Sequence, residues 1–261
     1  MTVGIDYHQC LDELRRHDRV PSSYLTVYAS GSIVRGRGNP SSDLDFFVIS
    51  TEPWSSETAH REPVTLRPDR VLVEGMYVGD VRWDVEYWLE AQVEELFGKV
   101  SPDQLASGQP AGRYMTEKEI DFLRMLSHST PVAGDDWWRA CRQRLAESSV
   151  RSVLALRALH TLDVYTEDAV GQLAAGDVRS AVLSAKLAWR FAVDALLCSH
   201  GEFGESPKWY ARTVGELQAP ELGSDEFWAV ETMASFDPAA PERWVEEVLG
   251  LCQRISTEVS L

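Results

Sequence analysis

Cysteine is sparse in this 261-residue chain. Cys10, Cys141, Cys198 and Cys252 lie far apart with no C-x-x-C pair, which argues against zinc and against a disulfide framework. Buried, idle thiols are the expectation. The six histidines form no H-E-x-x-H or H-x-H cluster and invite no metal assignment. Long apolar runs are missing too, and Met1–Cys10 lacks a basic head followed by an apolar stretch. A cytoplasmic chain with no membrane partner is therefore expected. Positive charge is in deficit, with 25 Lys and Arg against 41 Asp and Glu and a net charge of -16. Nucleic-acid binding rests on neutralising phosphates with basic patches, so no nucleic-acid partner is expected.

What is present is ample for a folded protein. Hydrophobic residues make up 44% of the chain, which excludes global disorder, and the length suits one large domain or two ordinary ones. The most informative stretch is 29–50, A-S-G-S-I-V-R-G-R-G-N-P-S-S-D-L-D-F-F-V-I-S. Gly31-Ser32 leads, a turn-rich loop follows, and Asp43 and Asp45 flank one leucine at the start of an apolar run. Alternate residues of a strand share a face, so the two carboxylates can converge. Carboxylates that close repel unless one is protonated or a cation sits between them. A hard divalent ion such as Mg²⁺ resolves the repulsion. Two solvated acids at a strand start are the plainer alternative, but that reading leaves the Gly-Ser and the Asn-Pro-Ser-Ser turn unexplained.

Gly31 and Gly36 stand five apart, like the glycines of a P-loop. That loop then needs Lys and Ser/Thr, whereas Arg37 and Gly38 follow here. The P-loop reading fails, although the guanidinium forks of Arg35 and Arg37 suit phosphate oxygens. Residues 71–88 read as two strands around a Gly79-Asp80 turn. On the second strand Arg82, Asp84 and Glu86 share one face, and Trp83, Val85 and Tyr87 the other. Acids alternating with large apolar residues suit a strand between a core and a cleft, or one with a merely solvated face.

The Gly-Ser and the paired acids resemble the signature of the DNA polymerase β-like nucleotidyltransferase superfamily: an apolar residue, Gly-Ser, about ten residues, then Asp-apolar-Asp-apolar. Ala29 to Ser32 and Ser42 to Phe47 match it, with Ser30 just before Gly31. The resemblance implies that Gly31 and Ser32 contact a triphosphate, with Ser42, Arg35 and Lys186 as further nucleotide-binding candidates. It implies that Asp43 and Asp45 hold catalytic metal, two Mg²⁺ ions, with Asp84 as third acid or general base. Glu86 is the alternative third acid, or else an acceptor-binding group. No kinase glycine-rich loop or catalytic segment is present, so nucleotidyl transfer is expected rather than γ-phosphoryl transfer.

Helical and strand patterns predict an α+β architecture. A short helix over 6–17 has Cys10, Leu11 and Leu14 as its apolar side, and a strand over 24–29 leads into the Gly-Ser. Residues 51–70, interrupted by Pro53, Pro63 and Pro68, read as loop or edge. A helix after Trp88 stops at Gly98, and 99–115 reads as a linker. From Thr116 onward the pattern is almost wholly helical: a capped helix to about Leu126, a long helical stretch over 135–174 with room for breaks inside, then one after Asp177, followed by Pro207 to Leu217, Ser224 to Phe236 and Pro241 to about Val259. The expectation is a catalytic domain over 1–115, with a mixed sheet flanked by helices, and an all-α bundle over 116–261.

That arrangement resembles the small-molecule branch of the superfamily, including antibiotic adenylyltransferases, in which the bundle closes over the nucleotide and shapes the acceptor pocket. Lysine is scarce beside arginine, so Lys186 and Lys208 stand out, though a lysine on an apolar helix usually snorkels to solvent. Trp189, Trp209 and Tyr210 could stack on a base, or simply form core. The leading expectation is transfer of a nucleoside monophosphate, AMP from ATP by resemblance, to a hydroxyl of a small molecule, in resistance or biosynthesis. An acidic cleft suits a cationic acceptor such as an amino sugar. The alternatives are a regulatory or protein-modifying member of toxin–antitoxin type, and an inactive nucleotide-binding homologue. No histidine follows an arginine with four to six residues between them, the pattern of the ribonuclease domains that partner such proteins, which argues against an intrinsic ribonuclease.

Overall fold

The computed structural model describes residues 7–108 and 115–261. The run that opens at Asp43 becomes Leu44–Ser50, the central strand β2, with every residue but Asp45 buried. β1 (Thr26–Ser30) lies antiparallel on one side of it and β5 (Val81–Leu89) parallel on the other. With β3 (His60–Pro63), β4 (Arg70–Val78) and β6 (Thr130–Ala133) the mixed sheet runs β3-β4-β5-β2-β1-β6. A continuous apolar strand needs cover on both faces, and this sheet has it. β4 and β5 meet through the expected two-residue turn, with Val78 opposite Val81 and Gly79 at φ 59°.

On one face, α1 (Tyr7–Arg16) brings Cys10, Leu11 and Leu14 into a core with Val27, Phe46, Val48 and Val85. On the other, Tyr28 stacks on Phe47 at 4.9 Å, and Phe122 packs against Trp88 at 4.3 Å. Phe122 belongs to α4 (Glu117–Ser127), which follows α2 (Glu90–Lys99) and α3 (Pro102–Ala106). The prolines of 51–70 do leave a loop with only the short, exposed edge strand β3. Buried Glu74 pins that loop, its oxygens accepting from Trp54 Nε1 (3.2 Å), Thr58 Oγ1 (3.0 Å), Ser56 and Arg19 Nη1 (3.2 Å). Of the expected linker, Pro110 and Gly112 lie outside the described residues, as do Met1–Asp6.

Helix α4 starts at the expected cap, where Thr116 Oγ1 accepts from Glu119 N at 3.2 Å. The Glu119 carboxylate is fully buried and turns elsewhere, to Lys99 Nζ and Thr65 Oγ1, each at 2.8 Å. After it the chain departs from an all-helical reading. Thr130–Ala133 is a sheet strand paired with β1, and α5 (Asp135–Glu147) also packs on β1. The chain accordingly divides into compact units at Ser148/Ser149 rather than at 115/116. Pro131 hides this strand in the sequence, because a proline is tolerated at a sheet edge where no partner needs its N–H.

The second unit is helical: α6 (Val150–Ala174), α7 (Val178–Ser199), α8 (Tyr210–Leu217) after a 3₁₀ turn at Pro207–Trp209, α9 (Ser224–Glu231) and α10 (Pro241–Glu258). The helical pattern over 135–174 is thus two helices, with the break falling at Ser148-Ser149. Asp177 caps α7 by accepting from Ser180 N at 3.2 Å. Ala181, Ala185, Ala188 and Ala192 are fully buried, and these small side chains let neighbouring helices approach closely. Trp189 and Tyr210 are core residues, with Trp189 Nε1 donating to Glu231 Oε1 at 3.0 Å. All four cysteines are buried with no disulfide among them, and burial pushes Cys141, Cys198 and Cys252 up to about 12, as idle thiols require. Among the described residues no helix is long and apolar enough to cross a membrane.

Candidate active site

Three carboxylates meet where β2 and β5 run side by side. The parallel register sets Asp45 beside Asp84, and Asp43 stands just ahead of β2. One oxygen from each of Asp43, Asp45 and Asp84 lies within 4.8 Å of the others. Burial, then the charges of Asp43, Glu86, Asp121 and Asp84, push Asp45 up to about 7. A carboxyl raised this far without a cation is one that a cation would ionise, and three hard oxygens at this spacing fit a divalent ion.

Gly31 makes the arrangement possible. Its φ of +90° disfavours side chains, and a β-carbon there would stand 2.1 Å from Asp45 Oδ2. Ser30, opposite Asp45 in the β1–β2 register, donates to Met125 O at 2.7 Å and so ties the strand end to α4. Beyond Gly31 the chain coils tightly: Arg35 N donates to Gly31 O at 3.2 Å and Arg37 N to Ser32 O at 2.8 Å. Ser32 and Arg35 are half-buried, whereas Arg37 is buried at 7% exposure. Ser42 closes the turn before Asp43, its Oγ accepting from Asn39 N at 2.9 Å.

Asp84 receives Arg82, whose Nε and Nη2 both reach Oδ1 at 3.0 Å. Across the ladder stands Gly75, where a β-carbon would come 3.2 Å from the same oxygen. Glu86 shares this face but not this position. It is buried, Oε1 accepts from Lys118 Nζ and Oε2 from Trp88 Nε1 at 3.1 Å. Burial raises its pKa, and Lys118 offsets part of that rise. Glu86 is therefore an inner charge below the triad rather than a surface group that an acceptor would meet, because strand rise carries it one step into the α4 contact. Lys186 is half-exposed on α7, in the second unit.

Sequence reasoning missed Lys118, Asp121 and Gly75. The first two lie three apart on α4, a spacing that sets both charges on one side of a helix, and Lys118 is one of the few lysines. Nothing local marks Gly75, whose reason is the carboxylate on the neighbouring strand.

Residues 9–122 match the family model of the nucleotidyltransferase domain. The match covers less than half of the chain and supports a nucleotidyltransferase domain, and with it a transferase, over this part. Its fold is similar to that of a nucleotidyltransferase-like protein from Exiguobacterium sibiricum 255-15. The two share 11% identity with a TM-score of 0.53, over 97% of this chain and 75% of the other. No curated protein matches the chain.

Proposed function

We propose that this enzyme moves a nucleoside monophosphate, AMP from ATP, to a hydroxyl of a small molecule and releases pyrophosphate. One observation carries the reading: Asp43, Asp45 and Asp84 converge beside the Gly31-Ser32 turn with the spacing a divalent ion needs. Two Mg²⁺ ions held there would neutralise phosphate charge and keep attacking and leaving oxygens in line. Gly31 and Ser32 cradle the triphosphate through backbone and hydroxyl, and Arg35 answers its charge. The acceptor oxygen bonds to the α-phosphorus as the bond to the β-phosphate bridge breaks, and Asp84 takes the acceptor's proton. Glu86 and Asp121 add to the negative field felt at Asp45, which favours a cationic acceptor.

The test is to incubate the protein with each of the four triphosphates, Mg²⁺ and a panel of amino sugars, lincosamides and nucleosides while following pyrophosphate. Pyrophosphate release that depends on one acceptor class and is absent in Asp43→Asn supports the reading. Release of phosphate instead of pyrophosphate, or none with any pair, overturns it.

A further inference from the structure

A pocket of about 250 Å³ lies at the far ends of β2 and β5, lined among others by Trp54, Ser55, Arg61, Arg70, Leu72, Tyr87 and Trp88. Tyr87 differs from Asp84 by an odd step along β5 and points to the opposite side, and Trp88, on the Asp84 side, lines the pocket four residues further along. Arg61, Leu72 and Tyr87 form one cross-strand row, since Arg61 pairs with Leu72 and Leu72 with Tyr87. Arg70 lies two residues from Leu72 on the same face, and Arg61 and Arg70 both line the pocket.

The wall is rigid. Trp54 stacks on Tyr87 with ring centroids 4.7 Å apart, and both rings hydrogen-bond to buried Glu74, Trp54 Nε1 at 3.2 Å and Tyr87 OH at 3.1 Å. Among the described residues that line the pocket, two are basic and none is acidic. That is a marked local reversal in a chain of net charge -16. Arg70 meets exposed Asp69 at 3.6 Å, a contact that water largely screens.

We propose that this pocket is a binding site for a small oxyanion-bearing molecule, a compact phosphorylated or carboxylated metabolite gripped by Arg61 and Arg70. Guanidinium forks match both anions, and the Ser55 hydroxyl and the aromatic wall offer contacts to the attached body. The site needs neither metal nor triphosphate, so it stands independently of the transfer reading.

Calorimetry on the full chain in a chelator, with inorganic phosphate, ribose 5-phosphate and citrate as probes, tests it. Saturable binding of at least one probe is expected, weakened about tenfold or more in Arg61→Gln/Arg70→Gln, whose exposed positions leave folding intact. Asp45→Asn should bind as the parent does, and the preferred probe tells phosphate from carboxylate. Three outcomes overturn the proposal: no saturable binding at millimolar concentration, equal binding by the double variant, or loss of binding in Asp45→Asn.

Discussion

The carboxylate of Asp45 occupies the space where a side chain at residue 31 would stand, with Oδ2 2.1 Å from a β-carbon built on Gly31. Gly31→Ala must therefore displace Asp45 as well as strain a backbone at φ +90°. The expected outcome is a loss of kcat of about 100-fold, the usual consequence of misplacing a reacting group by about 1 Å. Divalent-ion affinity should weaken in parallel, which titration calorimetry checks. A variant with normal kcat would mean the loop can yield without moving Asp45.

Asp45 should make the metal-free protein pH-sensitive. Its folded pKa of about 7 lies above the ordinary value of 3.8, so the folded state holds the proton more tightly. The stability this contributes is complete below about pH 4 and is lost as pH rises through about 7. The shift corresponds to a contribution on the order of 4 kcal/mol. Urea unfolding in a chelator at pH 5 and pH 8 should show the parent losing stability and Asp45→Asn losing much less. Adding Mg²⁺ at pH 8 should restore the parent, while Asp45→Asn stays inactive.

Asp84 and Glu86 should separate by the kind of damage they cause. Asp84→Asn should collapse the rate at saturating acceptor, as expected when a transition-state interaction is lost. Lys118→Met should destabilise the fold by about 3 kcal/mol, because it strands the buried Glu86 carboxylate. Adding Glu86→Gln to Lys118→Met should recover much of that loss, and a double-mutant cycle in urea measures it. Independent, additive effects would break the pairing assigned here.

Glu74 acts through the loop it holds. Burial works to raise its pKa, but hydrogen bonds from Ser56, Thr58 and Tyr87 and the charge of Arg19 leave it lowered. Its contribution is present above the ordinary carboxylate range and is lost as pH falls through the depressed folded value. Glu74→Ala should speed hydrogen exchange across 54–58 and cost about 2 kcal/mol, since several donors lose their acceptor. Exchange unchanged in that loop would mean other contacts hold it.

The chain's local patterns determined much of this protein. Period-two alternation set Asp43 and Asp45 on one face, the Gly79-Asp80 turn fixed the β4–β5 hairpin, and the apolar side of α1 was legible as Cys10, Leu11 and Leu14. Each depends on neighbours in sequence, so each leaves a short-range signal. Only the tertiary structure decided what depends on partners far along the chain. The parallel register beside β2 brought Asp84 to Asp43 and Asp45, and the docking of α4 gave Glu86 to Lys118. Thr130–Ala133 became a strand because β1 offered an edge, moving the boundary between units to Ser148. Four residues containing a proline carry almost no β signal of their own, and their strand character comes from hydrogen bonds to a partner about a hundred residues away.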